Sequence, residues 1–283
     1  MGKVAIVTGG NQGLGLALVR GLCRELGENG VVYLAARDRG RGEQAVRELE
    51  GEGSSPRLEL LNVRDDASVR QCADRLAERH GGVDIVISNA AARISPGVPN
   101  ADQVRDFVDT NNHGTRRMIE AFGPRLRDGA RFVVVASSFG TLASLDPRLH
   151  QRFNTEHMTQ ADVAKVMDAY VDAVEAGRAT DEGWPDWINP PSKVGQVAAV
   201  RVMARDMAEE AAWRDIIINA ACPGLVDTAA SRPWFDDMTE ALSPDQAAVD
   251  VLWLATLPVG TRRPYGELVQ YRTVLPFIQE PTG

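Results

Sequence analysis

The chain has 283 residues, enough for one α/β domain with a sizeable core. Its 31 Lys and Arg stand against 39 Asp and Glu, and the resulting net charge of −8 argues against a general nucleic-acid or anionic-membrane surface. Cys23, Cys72 and Cys222 lie far apart with no CxxC pairing, which argues against a disulfide or zinc framework and for thiols in a reducing cytoplasm.

The elements follow a regular alternation. "VAIV" reads as a strand that opens the chain, with no charged-then-apolar signal pattern before it, and a helix begins at about Gly13. "VVYLAA" precedes the charged helix "GRGEQAVRELEGEG", and "LELLNV" precedes "ASVRQCADRLAERH". "VDIVIS" leads to a longer helical stretch through "FVDTNNHGTRRMIEAF"; "RFVVVASS" and, much later, "DIIINAA" complete the series. Nearly continuous apolar strands are buried on both faces of a parallel sheet, and helices of this length between them make βαβ units. Right-handed crossovers then give a doubly wound parallel sheet.

About forty residues between "VVVASSFG" and "NPPSKVGQVAAVRVMARDM" contain no strand pattern. There "TQADVAKVMDAYVDAVEAG" reads as an amphipathic helix and "DEGWPDWINPP" as a loop returning to the sheet. The organisation is a single domain over 1–283 with a helical insertion at about 145–186. The tail "QEPTG" is expected to fray. No apolar run approaches the ~20 residues of a membrane span. His80, His113, His150 and His157 have no metal-ligand spacing, so no metal is expected.

"TGGNQGLG" follows the first strand and opens a helix. Gly9, Gly13 and Gly15, with Asn11, Gln12 and Leu14 between and beside them, allow backbone N–H groups to approach a pyrophosphate at a helix N-terminus. A tight turn with no ligand is the alternative; the strand–turn–helix setting favours the phosphate. The second strand ends at Ala36, where an NAD site carries an acid, and Arg37 follows. An arginine here accommodates a 2′-phosphate and points to NADP(H); an exposed pair with Asp38 is the other reading.

These stretches, with "TNNHGTR", "VVVASS", "EGWP" and "INAACPGLVDT", resemble the short-chain dehydrogenase/reductase family over nearly the whole chain, and within it the monomeric carbonyl reductases. The resemblance implies a Rossmann-type sheet, NADP(H), hydride transfer to a carbonyl carbon of a small molecule, and a monomer, because the insertion lies over a surface that tetrameric members use. Asn62, with Val63 beside it, falls where the family has an adenine-side acid. Ser88, Asn89, Ala90 and Ala91 fall on the family's Asn-Asn-Ala-Gly, which puts Asn89 and Ala90 on the nicotinamide side of the cofactor. Asn111 matches the asparagine that holds a water chain to the catalytic lysine, and Ser138 the serine that hydrogen-bonds the substrate oxygen. Lys193 matches the lysine on the nicotinamide ribose. Pro223, Gly224, Val226 and Thr228 match the loop at the nicotinamide carboxamide and phosphate.

The family's Tyr-x-x-x-Lys is broken: Asn189 stands four residues before Lys193. Asn-Pro-Pro is also the pattern of an N-cap followed by proline, and Pro190 biases Asn189 toward extended backbone, so Asn189 is expected to cap the helix. An amide donates a hydrogen bond but is no general acid near neutral pH, and general acid catalysis is worth ~10²–10⁴-fold. Three answers stay open. The substrate is an iminium, enone or quinone that needs little proton help; or Asp186, His150, His157 or Tyr170 supplies the proton; or the pocket binds NADP(H) for cyclisation, isomerisation or cofactor sensing. The expected pocket walls are the insertion and the loop after Thr228, with Trp234 and Phe235.

Overall fold

The computed structural model describes residues 2–278; the tail expected to fray lies outside them. Strand β1 (Val4–Thr8) is fully buried and runs through the glycine loop into helix α1 (Gly13–Leu26). Then follow β2 (Val31–Ala36), α2 (Arg39–Gly51), β3 (Arg57–Leu60), α3 (Asp66–His80) and β4 (Val83–Ser88). Asp38 and Asp65 cap the second and third helices by accepting from backbone N–H groups of the first turn. Gly81 ends α3 in a left-handed conformation, donating to the Ala77 carbonyl.

After β4 come α4 (Asn100–Val108), a π-helical turn at Asp109–His113, and α5 (Gly114–Phe122). Single π turns inside helices are rare and concentrate at functional sites. β5 (Leu126–Val135) leads to a series of 3₁₀ turns, α6 (Gln160–Glu175), α7 (Asn189–Asp206) and α8 (Ala208–Arg214). β6 (Ile217–Cys222), α9 (Pro244–Ala255), β7 (Leu268–Gln270) and β8 (Thr273–Leu275) complete the order.

The strands form one sheet in the order β3-β2-β1-β4-β5-β6-β7-β8. All pairings are parallel except β7 with β8. The chain winds outward from β1 to β3, then returns to the other side of β1 at β4. That reversal makes a crevice at the carboxyl ends of β1 and β4. One apolar layer of α3, α4, α5 and α7 residues covers one face; a second, from α1 and α9, covers the other. This is the expected α/β, Rossmann-type doubly wound sheet.

The sequence reading missed β7 and β8. Each has three residues, too few to show a period, and they join through Tyr271 and Arg272, both at positive φ. In the region of the expected insertion, 3₁₀ turns over Pro147–Phe153 precede α6, which packs against α4 and α7. Thr159 and Asp162 form a capping box at the start of α6. Among the described residues no helix is long and apolar enough to cross a membrane.

Candidate active site

The glycine loop is fixed by close backbone approach. A β-carbon on Gly15 would stand 2.1 Å from the Gly9 carbonyl oxygen and 2.7 Å from Asn89 Nδ2, so the position accepts no side chain without movement. The Asn89 amide donates to the Thr8 carbonyl at 2.9 Å, and the Thr8 hydroxyl accepts from the backbone N–H of Asn89 and of Ala90. These contacts tie the end of β1, the start of α1 and the end of β4 into one unit. Gln12 is extended at the helix N-cap and makes no side-chain cap bond; Asn11 and Gly13 are partly exposed beside it. Leu14 packs against the second core layer.

Arg37 is exposed immediately after β2. The pair with Asp38 does not form: Asp38 instead accepts from the Arg41 N–H at 2.8 Å as the cap of α2. Asn62 is exposed after β3, with its Oδ1 accepting from the Arg64 N–H, while Val63 is buried against Gly114. Gly10 N–H donates to the Ala35 carbonyl and Leu61 N–H to the Ala36 carbonyl, so the loops after β1, β2 and β3 are neighbours.

Beside this crevice opens a cavity of about 370 Å³. Ser138, Asn189 and Lys193 line it together with Gly224, Val226 and Thr228. Thr228 also reaches the phosphate loop: its Cγ2 is 3.6 Å from where a β-carbon on Gly13 would stand. Pro223 is the half-buried link between β6 and this loop. Ser138 is exposed in a 3₁₀ turn after β5 whose cap is Ser137.

Asn189 does not cap α7. Ile188 holds the N-cap position in helical backbone, Asn189 is the first helical residue, and no side-chain cap bond forms. Pro190 and Pro191 follow within the first turn, where missing N–H groups cost nothing. The extended bias that proline imposes on its predecessor is overridden because Ile188 and both prolines are buried. Asn189 and Lys193 therefore stand one turn apart on one helical face, both toward the cavity.

Asn111 sits within the π turn, behind the cavity wall. Its Oδ1 accepts from the Ala92 N–H at 2.8 Å and its carbonyl from Thr115 Oγ1 at 2.7 Å. Thr115 Oγ1 accepts from Gln196 Nε2 at 3.1 Å, and Gln196 Oε1 accepts from Lys193 Nζ at 2.8 Å. Gln196 escaped the sequence reading; its signal was a polar residue at i+3 from Lys193 on a helix that is otherwise apolar there. Lys193 keeps part of its surface open to the cavity but is enclosed elsewhere, and desolvation lowers its pKa to about 8 against a weaker opposing effect of Cys222.

The alternative acids are elsewhere. Tyr170 is buried in the core against Trp184, with ring centroids 4.7 Å apart, and burial pushes its phenol up. His150 contacts the Leu145 carbonyl, the Asp186 carboxylate accepts from the Thr180 hydroxyl, and His157 is exposed; none of the four lines the cavity. Trp234 and Phe235 do form a wall, as expected. The insertion at 145–186 does not; the wall on that side is Trp187, stacked edge-on to Phe139 at 5.1 Å and tilted against Trp234 at 6.1 Å. Arg93, also missed, lies on the rim; it is exposed and has no ion-pair partner among the described residues.

The glycine loop and the switch point define a dehydrogenase of one class: the chain belongs to the short-chain dehydrogenase family, whose model matches residues 3–146. The chain is 36% identical to carbonyl reductase (NADPH) 1 of Homo sapiens over 275 residues, covering 96% of this chain and 97% of that protein. Its fold is similar to salutaridine reductase from Papaver somniferum, with TM-score 0.79 and 22% identity over 94% of this chain and 99% of that one. It is also similar to a short-chain dehydrogenase from Burkholderia cenocepacia in complex with NADP, with TM-score 0.67 and 20% identity over 95% and 96% of the two chains.

Gly15→Ala is expected to displace the loop and destabilise the protein by ~1–3 kcal/mol, the usual range for overpacking. Urea unfolding with parallel dinucleotide titration checks this; unchanged stability and binding would mean that the loop yields freely.

Proposed function

We propose that the protein is an NADPH-dependent reductase acting on an activated C=O, or a conjugated C=C, of a bulky apolar small molecule. The observation that carries this reading is the convergence of Ser138, Asn189 and Lys193 on one aromatic-walled cavity beside the glycine loop. The residues present fit the dinucleotide: Gly9 and Gly15 leave a cradle that β-carbons would fill, and Arg37 is uncommitted. The carbonyl reductase relatives carry NADPH in their names, and the Burkholderia structure contains NADP.

When bound, the cofactor supplies the hydride. Backbone N–H groups of the loop from Gly9 to Gly15 hold the pyrophosphate at the start of α1. Arg37 holds the 2′-phosphate and Asn62, next to Val63, the adenine. Asn89 and Ala90, with Pro223, Gly224, Val226 and Thr228, would hold the nicotinamide end. The Ser138 hydroxyl and the Asn189 amide donate to the substrate oxygen and orient it. Trp187, Trp234 and Phe235 exclude water and supply apolar contact. An iminium C=N fits less well, since Lys193 and Arg93 already bring two cations to a lining without carboxylates. The free thiols fit a reducing cytoplasm.

Three outcomes follow. Arg37→Ala should weaken NADPH binding far more than NADH binding; equal losses in a fluorescence titration would remove the 2′-phosphate assignment. With α6 packed over α4 and α7, we read the chain as a monomer, and light scattering at micromolar concentration should return the mass of one chain rather than four. Asn189→Tyr should raise turnover of a plain, unactivated ketone by ~10²-fold, the lower range for a positioned general acid, and leave an activated ketone nearly unchanged. If NADPH absorbance falls with no carbonyl in either form, the non-redox reading of the site, as a cyclase, isomerase or sensor, takes its place.

A further inference from the structure

The cavity lining contains two ionisable side chains among the described residues, Arg93 and Lys193. A guanidinium does not release its proton in proteins, so it is no acid. Lys193 differs from an ordinary structural lysine in three respects. Its ammonium is bound by a neutral amide, Gln196 Oε1, at 2.8 Å and by no carboxylate among the described residues. Gln196 is buried and cannot swing away, because its Nε2 is engaged by Thr115, which is itself anchored on the Asn111 carbonyl of the π turn. And Asn189, one turn earlier, is too short to stand between the lysine and the cavity as a phenol would.

We propose that Lys193 is itself the proton donor to the substrate oxygen, and that Gln196 is the positioning residue that holds and tunes it. The proposal rests on the reductase reading. As hydride from the reduced nicotinamide forms the new C–H bond, the C=O π pair moves to oxygen, and that oxygen takes a proton from Lys193 Nζ. The products are an alcohol, the oxidised dinucleotide and a neutral lysine amine. Solvent entering by the cavity mouth returns the proton.

The charged surroundings agree. Cys222 of β6 faces Lys193, but burial pushes the thiol up, so it is neutral near pH 7. Arg93 faces the same cavity with a like charge. α7 contributes only neutral neighbours, Ser192 and Gln196, and the β5 turn contributes Ser137 and Ser138. Among the described residues no carboxylate pairs with the ammonium, and burial lowers its pKa to about 8, in the range where a lysine both holds a proton at pH 7 and gives it up readily. With the pKa lowered, the donor form is present below about pH 8 and lost above it.

The test combines direct titration with kinetics. In the protein without cofactor, the rate of Lys193 labelling by trinitrobenzenesulfonate, read by peptide mass spectrometry, should reach half its maximum near pH 8. With an activated ketone, kcat should fall as pH rises through the same region. Gln196→Glu sets a carboxylate against the ammonium; it should move both midpoints upward by a unit or more. Lys193→Arg keeps the charge without a transferable proton and should lower kcat by 10²-fold or more at saturating NADPH, any lost ribose contact showing separately as a raised KM for NADPH. A labelling midpoint above pH 10, a kcat flat across pH 7–9.5, or midpoints unmoved in Gln196→Glu would overturn the proposal and leave Lys193 a structural role. A wild-type protein that consumes no NADPH with any carbonyl would sink the reductase reading and the donor together. Full turnover in Lys193→Arg would sink the donor alone.

Discussion

The site depends on one packing constraint: the approach of α1 to the end of β1, so close that Gly15 has no room for a β-carbon beside the Gly9 carbonyl. The contact aims the first N–H groups of α1 into the crevice where strand order reverses. Asn89 and Thr8 lock β4 to the same point, so the glycine loop and the end of β4 share one base. The loop after β6 is brought against that base where Thr228 meets Gly13. Asn189 and Lys193 are held at a helix start, while the loops after β4, β5 and β6 bring Arg93, Ser138 and Thr228 to the same cavity.

α7 carries the departure from the family pattern. Its face from Pro190 to Ala204 is almost entirely buried, so its register is set by packing and not by the residue at 189. An amide at Asn189 therefore does not disturb the helix that carries it. The prolines that the sequence presents as a disturbance lie in the first turn, where a helix tolerates them. The chemistry of that face is an amide at Asn189 one turn before Lys193, with no phenol among the cavity-lining residues described.

Much of this was legible in advance. Strands β1, β2 and β4 have continuous or nearly continuous apolar runs, and β3, β5 and β6 shorter ones, which made the parallel series readable without any tertiary information. The resemblance gathered Ser138, Asn189, Lys193 and the loop through Thr228, which do share a cavity. Three features resisted. β7 and β8 are too short to carry a period, and they exist because the edge of β6 needs a partner. The cap of α7 is Ile188 and not Asn189, since the burial of Ile188 overrides the local Asn-Pro-Pro propensity. Gln196 and Arg93 were invisible because their meaning lies in what surrounds them: one is a polar residue in a buried face, the other a cation left unpaired on a rim.

The cavity's electrostatics follow from those two missed residues. A carboxylate at 196 would have paired with Lys193 and made the region neutral; an amide leaves the positive charge uncompensated while still satisfying one of its hydrogen bonds. Arg93 adds a second positive group at the rim. A low-dielectric, aromatic-walled space with fixed positive charge is complementary to an oxygen that gains negative charge as the reaction proceeds, and it stabilises that charge without solvent reorganisation. The Asn189 amide adds no charge to that field, whereas an ionised phenol at the same position would oppose it. On the reductase reading proposed above, an enone or activated ketone, whose oxygen carries most of the developing charge, draws the greatest benefit from such a site.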